Sequence, residues 1–126
     1  MTTALAHRVW SGVDYYDMWV DLAPGATDLE LCDAIHAYLG ELQCRGAIEG
    51  FTLARRKFGF SPPGWGEFHI RVNVTGAAQL DEAFSQVATR ADPIEGLHRA
   101  VYSRVANYKS AYYRDFPDPV RRKEAP

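Results

Sequence analysis

A chain of 126 residues, 47% hydrophobic and 24% charged, has the size and composition of one globular domain, here expected over 1–126 with a core at about 15–116. Sixteen acidic residues against fourteen basic ones give a formal net charge of −2, which supplies no global attraction to nucleic acid or to an anionic membrane. No apolar run reaches the length of a membrane span and the N-terminus lacks a secretory pattern, so a cytoplasmic protein is expected.

Met1 to Val13 has no clear period and leads into the first strand, with Val9 and Trp10 as surface anchors. Tyr15 to Leu22 alternates, placing Tyr16, Met18, Val20 and Leu22 on a dry face and Tyr15, Asp17, Trp19 and Asp21 on a wet one. A turn at Ala23-Pro24-Gly25-Ala26 precedes Thr27-Asp28-Leu29-Glu30, the spacing of a capping box. The helix that starts there carries Leu31, Ile35, Tyr38, Leu39 and Leu42 on one stripe and ends near Arg45 and Gly46. Cys32 and Cys44 on that helix would stand about 18 Å apart, beyond disulfide reach, and read as reduced packing residues. No basic residue or histidine arrangement marks either as a nucleophile.

Ile48 to Phe58 is β-rich and gives strand two. Phe58 to Gly66 then interrupts any ladder, since Pro62 and Pro63 lack donors and three glycines loosen the backbone. Glu67 to Val74 is the cleanest strand: Phe68, Ile70, Val72 and Val74 face one way, Glu67, His69, Arg71 and Asn73 the other. Gly76 to Thr89 reads as a helix through Leu80, Ala83, Phe84, Val87 and Ala88, and Asp92-Pro93-Ile94-Glu95 opens a short helix from Pro93 to Val101. Val101 to Tyr113 fits a helix through Val101, Val105, Tyr108 and Tyr112. From about Ser103 it also fits a strand with Val105, Asn107, Lys109 and Ala111 facing one way. The strand is preferred, because β-branched and tyrosine residues dominate and a three-stranded sheet would keep an unpaired edge. Phe116-Pro117-Asp118-Pro119 ends the fold, and Arg121-Arg122-Lys123 begins a frayed tail.

The resulting order is α+β, βαββαβ with a short extra helix before the last strand: a split βαβ, ferredoxin-like arrangement with strands one and three adjacent at the centre. This order and the two-faced strands resemble the dimeric α+β barrel superfamily, in which two such sheets pack face to face in a homodimer. The runs Arg55-Arg56-Lys57-Phe58-Gly59-Phe60-Ser61-Pro62-Pro63-Gly64 and Tyr113-Arg114-Asp115-Phe116-Pro117-Asp118-Pro119 also resemble an uncharacterised bacterial domain family of unknown function.

Merged wet faces would form a patch of aromatic, acidic, imidazole and guanidinium groups. Imidazole is the side chain suited to proton transfer near neutral pH, which makes His69 the candidate acid or base, with Asp17 orienting it. Arg71 and Arg55 would attract a carboxylate, and Tyr15, Trp19, Trp65 and Asn73 would line a ligand pocket. The bland reading is a hydrogen-bonded histidine and an ordinary cross-strand pair inside a dimer interface. The resemblance implies haem in some relatives and cofactor-independent oxygenation in others, the latter confining an aromatic substrate between sheet and helices. For haem, His69 or His98 would serve by chemistry alone. His7, His36, His69 and His98 show no close pairing or H-E-x-x-H spacing, so neither metal nor cofactor is expected. Lys57-Phe58-Gly59-Phe60 superficially resembles an RNA-recognition strand, but the prolines break it and strand three offers Glu67, His69 and Arg71 where stacking aromatics are needed. Two readings follow: a dimer that binds or transforms a small aromatic or carboxylated metabolite at the polar sheet face, or a non-enzymatic, stress-associated or interaction homodimer without a pocket.

Overall fold

The computed structural model describes residues 13–118, 120 and 121; the lead through Val9 and Trp10, and Arg122 and Lys123 of the tail, lie outside them. The elements run β1 (Asp14–Leu22), α1 (Asp28–Cys44), β2 (Gly50–Arg55), β3 (Phe68–Val74), α2 (Ala77–Ala88), α3 (Ile94–Tyr102) and β4 (Val105–Arg114). All ladders are antiparallel and the sheet order is β2-β3-β1-β4, a ferredoxin-like α+β fold with β1 and β3 at its centre.

The dry parity of both central strands decides where the core lies. Val20, Phe68, Ile70, Val72 and Val74 are buried together with Leu31, Ile35, Leu39 and Leu42, the stripe of α1. The capping box closes as its spacing requires: Thr27 Oγ1 accepts from the Glu30 amide at 3.3 Å, and Glu30 Oε1 accepts from the Thr27 amide at 3.3 Å. α2 adds Ala83 to the core and α3 adds Ile94, with Asp92 Oδ1 accepting from the Gly96 amide at 3.1 Å.

Two details differ from the sequence reading. Strand two stops at Arg55, three residues short of Phe58, because Phe58 (φ 62°) and Gly59 (φ 69°) both take left-handed backbone in a turn that leaves the sheet. The last strand is real but does not alternate throughout. Trp19 faces Lys109 while Asp21 faces Ala106, so Asn107 and Tyr108 together oppose the single residue Val20 in a β-bulge. Val105, opposite Leu22, therefore turns to the helix side instead of sharing a face with Lys109 and Ala111, which oppose Trp19 and Asp17.

Gly66 docks the end of the long β2–β3 connection against β1. A Cβ at this position would lie 2.5 Å from the Val20 amide nitrogen and 2.6 Å from its carbonyl oxygen, so only glycine lets the two backbones approach. The approach aligns the Glu67 amide with Asp21 Oδ1 at 2.9 Å, and Lys109 Nζ reaches back from β4 to the Gly64 carbonyl at 2.8 Å.

Candidate functional site

The polar face gathers most of the residues expected there. Across the β1–β3 ladder Trp19 opposes His69, Asp17 opposes Arg71 and Tyr15 opposes Asn73. Arg71 donates to Asp17 through Nε at 2.8 Å and Nη2 at 3.2 Å, and His69 Nε2 meets Asp17 Oδ1 at 2.8 Å. Burial of Asp17 opposes its charge, but the bonds from Arg71 and His69 outweigh it and hold the carboxyl below its ordinary range. An ionised carboxylate only accepts, so Nε2 of His69 carries the hydrogen of this bond. The Arg71 guanidinium lies over the Tyr15 ring at 4.3 Å, and Trp19 stacks on His69 at 5.1 Å with Trp65 edge-on at 4.7 Å. An open groove of about 470 Å³ runs beside them, walled by Trp19, Phe60, Pro62, Trp65, His69 and Tyr113.

Arg55 makes no bond to the Asp17–His69 group, though it borders the same groove as Trp19, Trp65 and His69. It opposes Phe68, whose side chain points into the core, so its guanidinium lies on the other side of the sheet over the Phe68 ring at 5.1 Å. There it donates to Glu67 Oε2 at 2.7 Å and to Asp28 Oδ2 at 3.0 Å, beside the start of α1. Asn73 presents a buried Oδ1 without a hydrogen-bond partner among the described residues.

The larger surprise lies on the opposite face. Between the sheet and its helices is a cavity of about 360 Å³, within the range of small-ligand pockets. Of the residues chosen from the sequence to line a ligand pocket, Trp19, Tyr15 and Asn73 do not line this cavity, because strand parity turns them to the wet side, and Trp65 in the β2–β3 connection stands with Trp19 at the groove instead. The cavity walls are otherwise apolar, and its polar groups are phenols and one imidazole. The Tyr16 and Tyr108 hydroxyls hydrogen-bond to each other, and the Tyr16 ring meets Phe84 edge-on at 5.4 Å. His98 sits 5.1 Å from the Tyr38 ring and 5.0 Å from that of Tyr102.

Burial sets the electrostatics of this cavity. It pushes Tyr16 up to about 12, assisted by the bond to Tyr108, and Tyr38 up to about 12 as well. Both phenols therefore remain neutral donors near neutral pH. Burial also lowers His98, against the weaker pull of Glu95 in the other direction, so the imidazole is neutral and able to accept a proton. Among the described residues, no lysine or arginine lines the cavity. A signal for it existed in the sequence: Tyr16 and Tyr38 are polar-tipped residues on stripes otherwise reserved for packing.

One thiol also has a neighbour that the sequence reading omitted. Cys32 Sγ lies 3.6 Å from His36 Nδ1 one helical turn away. The same nitrogen is 3.0 Å from the Cys32 carbonyl, which can only accept, so Nδ1 carries a hydrogen and offers the thiol no base.

Comparison with known proteins places this arrangement. The chain is similar in structure to a hypothetical protein of Arabidopsis thaliana (TM-score 0.61, 8% identity, 82% of this chain and 88% of that one). It is similar to a dimeric ferredoxin-like protein of unknown function from Jannaschia sp. (TM-score 0.59, 10% identity, 80% and 97%). It also resembles SnoaB, a cofactor-independent oxygenase from Streptomyces nogalater (TM-score 0.56, 8% identity, 81% and 89%). These likenesses establish the ferredoxin-like fold. No curated protein matches the sequence. Residues 13–126 match the model of DUF6614, described as a family of unknown function, and the chain belongs to that family.

Proposed function

We propose that this chain is a homodimeric small-molecule-binding protein that holds a neutral, largely apolar aromatic metabolite in the cavity between sheet and helices. The observation that carries the reading is the cavity itself: about 360 Å³ of apolar space whose polar groups are neutral phenols and His98. A carboxylate would enter without a cationic partner, which disfavours the anionic half of the expected ligand class. Where the bound molecule bears a hydroxyl, His98 is the group able to take its proton, and the Tyr16–Tyr108 pair is able to donate to an oxygen on the ligand.

The polar sheet face serves, in this reading, as the self-association surface. Asp17, His69 and Arg71 already satisfy one another, so this face needs no bound ligand to complete its hydrogen bonds. The catalytic alternative, with Asp17 and His69 acting beside the groove lined by Trp19 and Trp65, makes a different forecast. His69→Ala should yield monomers in sedimentation if the face is an interface, and an intact dimer without turnover if His69 is a catalytic residue.

The ligand reading is tested with 1-naphthol as a neutral aromatic probe. Binding to the native state stabilises by about 2.7 kcal/mol at a hundred times Kd, so the melting temperature should rise with probe concentration. Val87→Trp, which fills the cavity from α2, should remove that rise. A shift that survives Val87→Trp, or no shift at all, would sink the assignment.

A further inference from the structure

The bulge in β4 links the two faces of the sheet. In a regular strand, Val105 and Tyr108 would point to opposite sides, being three residues apart. Here both line the cavity, because the extra residue at Asn107 shifts the alternation between them. Asn107 adopts φ 57°, the left-handed region in which asparagine is tolerated better than most residues. Its side chain does not face the cavity. Nδ2 donates to Asp21 Oδ2 at 2.9 Å on the polar side, and Asp21 Oδ1 in turn accepts from the Glu67 amide at 2.9 Å. One carboxylate thus fastens the bulge of β4 to the start of β3 across β1.

We propose that Asp21 and Asn107 are positioning residues for the cavity: from the polar face they lock the bulge that turns the Tyr108 hydroxyl onto Tyr16, and so set the hydrogen-bonding group that a bound ligand meets. The inference rests on the cavity being the ligand site. It assigns the chain's preference for an oxygen-bearing ligand over a bare hydrocarbon to two residues that never touch the ligand.

The test compares 1-naphthol with naphthalene by fluorescence titration, alongside the NMR cross-relaxation between the Tyr16 and Tyr108 rings. The wild-type protein should favour 1-naphthol by about five- to tenfold, the worth of one hydrogen bond. Tyr108→Phe and Asn107→Ala should each reduce that ratio to near one, and the double variant should fall no further, since both act through one contact. Asn107→Gly keeps the left-handed backbone without strain and deletes only the tie to Asp21, so it guards against loss of the fold. It should lose the ratio and the Tyr16–Tyr108 cross-peak while still binding naphthalene. A wild-type ratio retained in Asn107→Gly, a surviving cross-peak, or additive effects in the double variant would overturn the proposal. If neither compound binds the wild type, the ligand reading of the cavity falls, and the cross-peak alone decides the role of the tie.

Discussion

Asp17 lies directly across the ladder from Arg71, yet it also holds His69 two residues along the same strand, and only 1% of its surface meets solvent. One carboxylate thus organises the polar face by a straight and a diagonal cross-strand contact. Its folded pKa is depressed, as is that of Asp14, where the hydrogen bond from Arg114 leads and outweighs burial. A depressed carboxyl stabilises the fold above its unfolded value near 3.8 and loses that contribution as pH falls through the folded value. Urea unfolding at stepwise pH should therefore show stability falling below about pH 5. Asp17→Asn should flatten part of this acid limb and lower stability at pH 7 by about 2–4 kcal/mol, because the Arg71 charge loses its partner. An acid limb unchanged in Asp17→Asn would contradict the assignment.

Gly66→Ala should destabilise by about 1–3 kcal/mol or more, since its new methyl meets the Val20 backbone and not a side chain able to swing away. The Glu67 amide would be levered off Asp21, so the β2–β3 connection should become more open to proteolysis. Differential scanning calorimetry and limited proteolysis report the two effects, and a melting temperature equal to that of the wild type would refute the close-approach argument.

His98 is lowered from its ordinary value of 6.5, chiefly by burial. The unfolded chain therefore takes up a proton first as pH falls, and stability drops across the window from about 6.5 down to the folded value. His98→Phe should remove this limb while leaving the carboxylate limb below pH 5 in place. In 1-naphthol titrations, the wild type should also bind more weakly as His98 becomes charged inside an apolar wall. A binding curve flat from pH 7.5 to 5 would remove His98 from the ligand environment.

Thr27→Ala deletes one side of the capping box at the start of α1 and should lower stability by about 1 kcal/mol. Thr27→Ser should retain most of it. Both are read from denaturation midpoints, and equal losses in the two variants would deny the hydroxyl its role.

Much of the architecture was legible because burial imposes periods on a chain. The alternation from Phe68 to Val74 and from Tyr16 to Leu22 predicted the two central strands, and their mutual register then brought Trp19 to His69 and Asp17 to Arg71. Thr27 and Glu30 announced α1 by local chemistry alone. Arg55 was legible only in part: its parity follows Phe51 and Leu53, so its cationic head bonds Glu67 and Asp28 beside α1, while the residue still borders the groove of Trp19 and Trp65.

By itself, the sequence determined the order of elements and the two faces of the sheet, since period and polarity are properties of neighbouring residues. Tertiary structure decided which face holds a ligand-sized hollow, how Tyr16, Tyr108, Tyr38 and His98 from four elements converge on it, and how the extra residue at Asn107 flips the alternation of β4. A cavity is space left over when separate elements pack, and a bulge is a mismatch between two strands. Neither is written in any one segment.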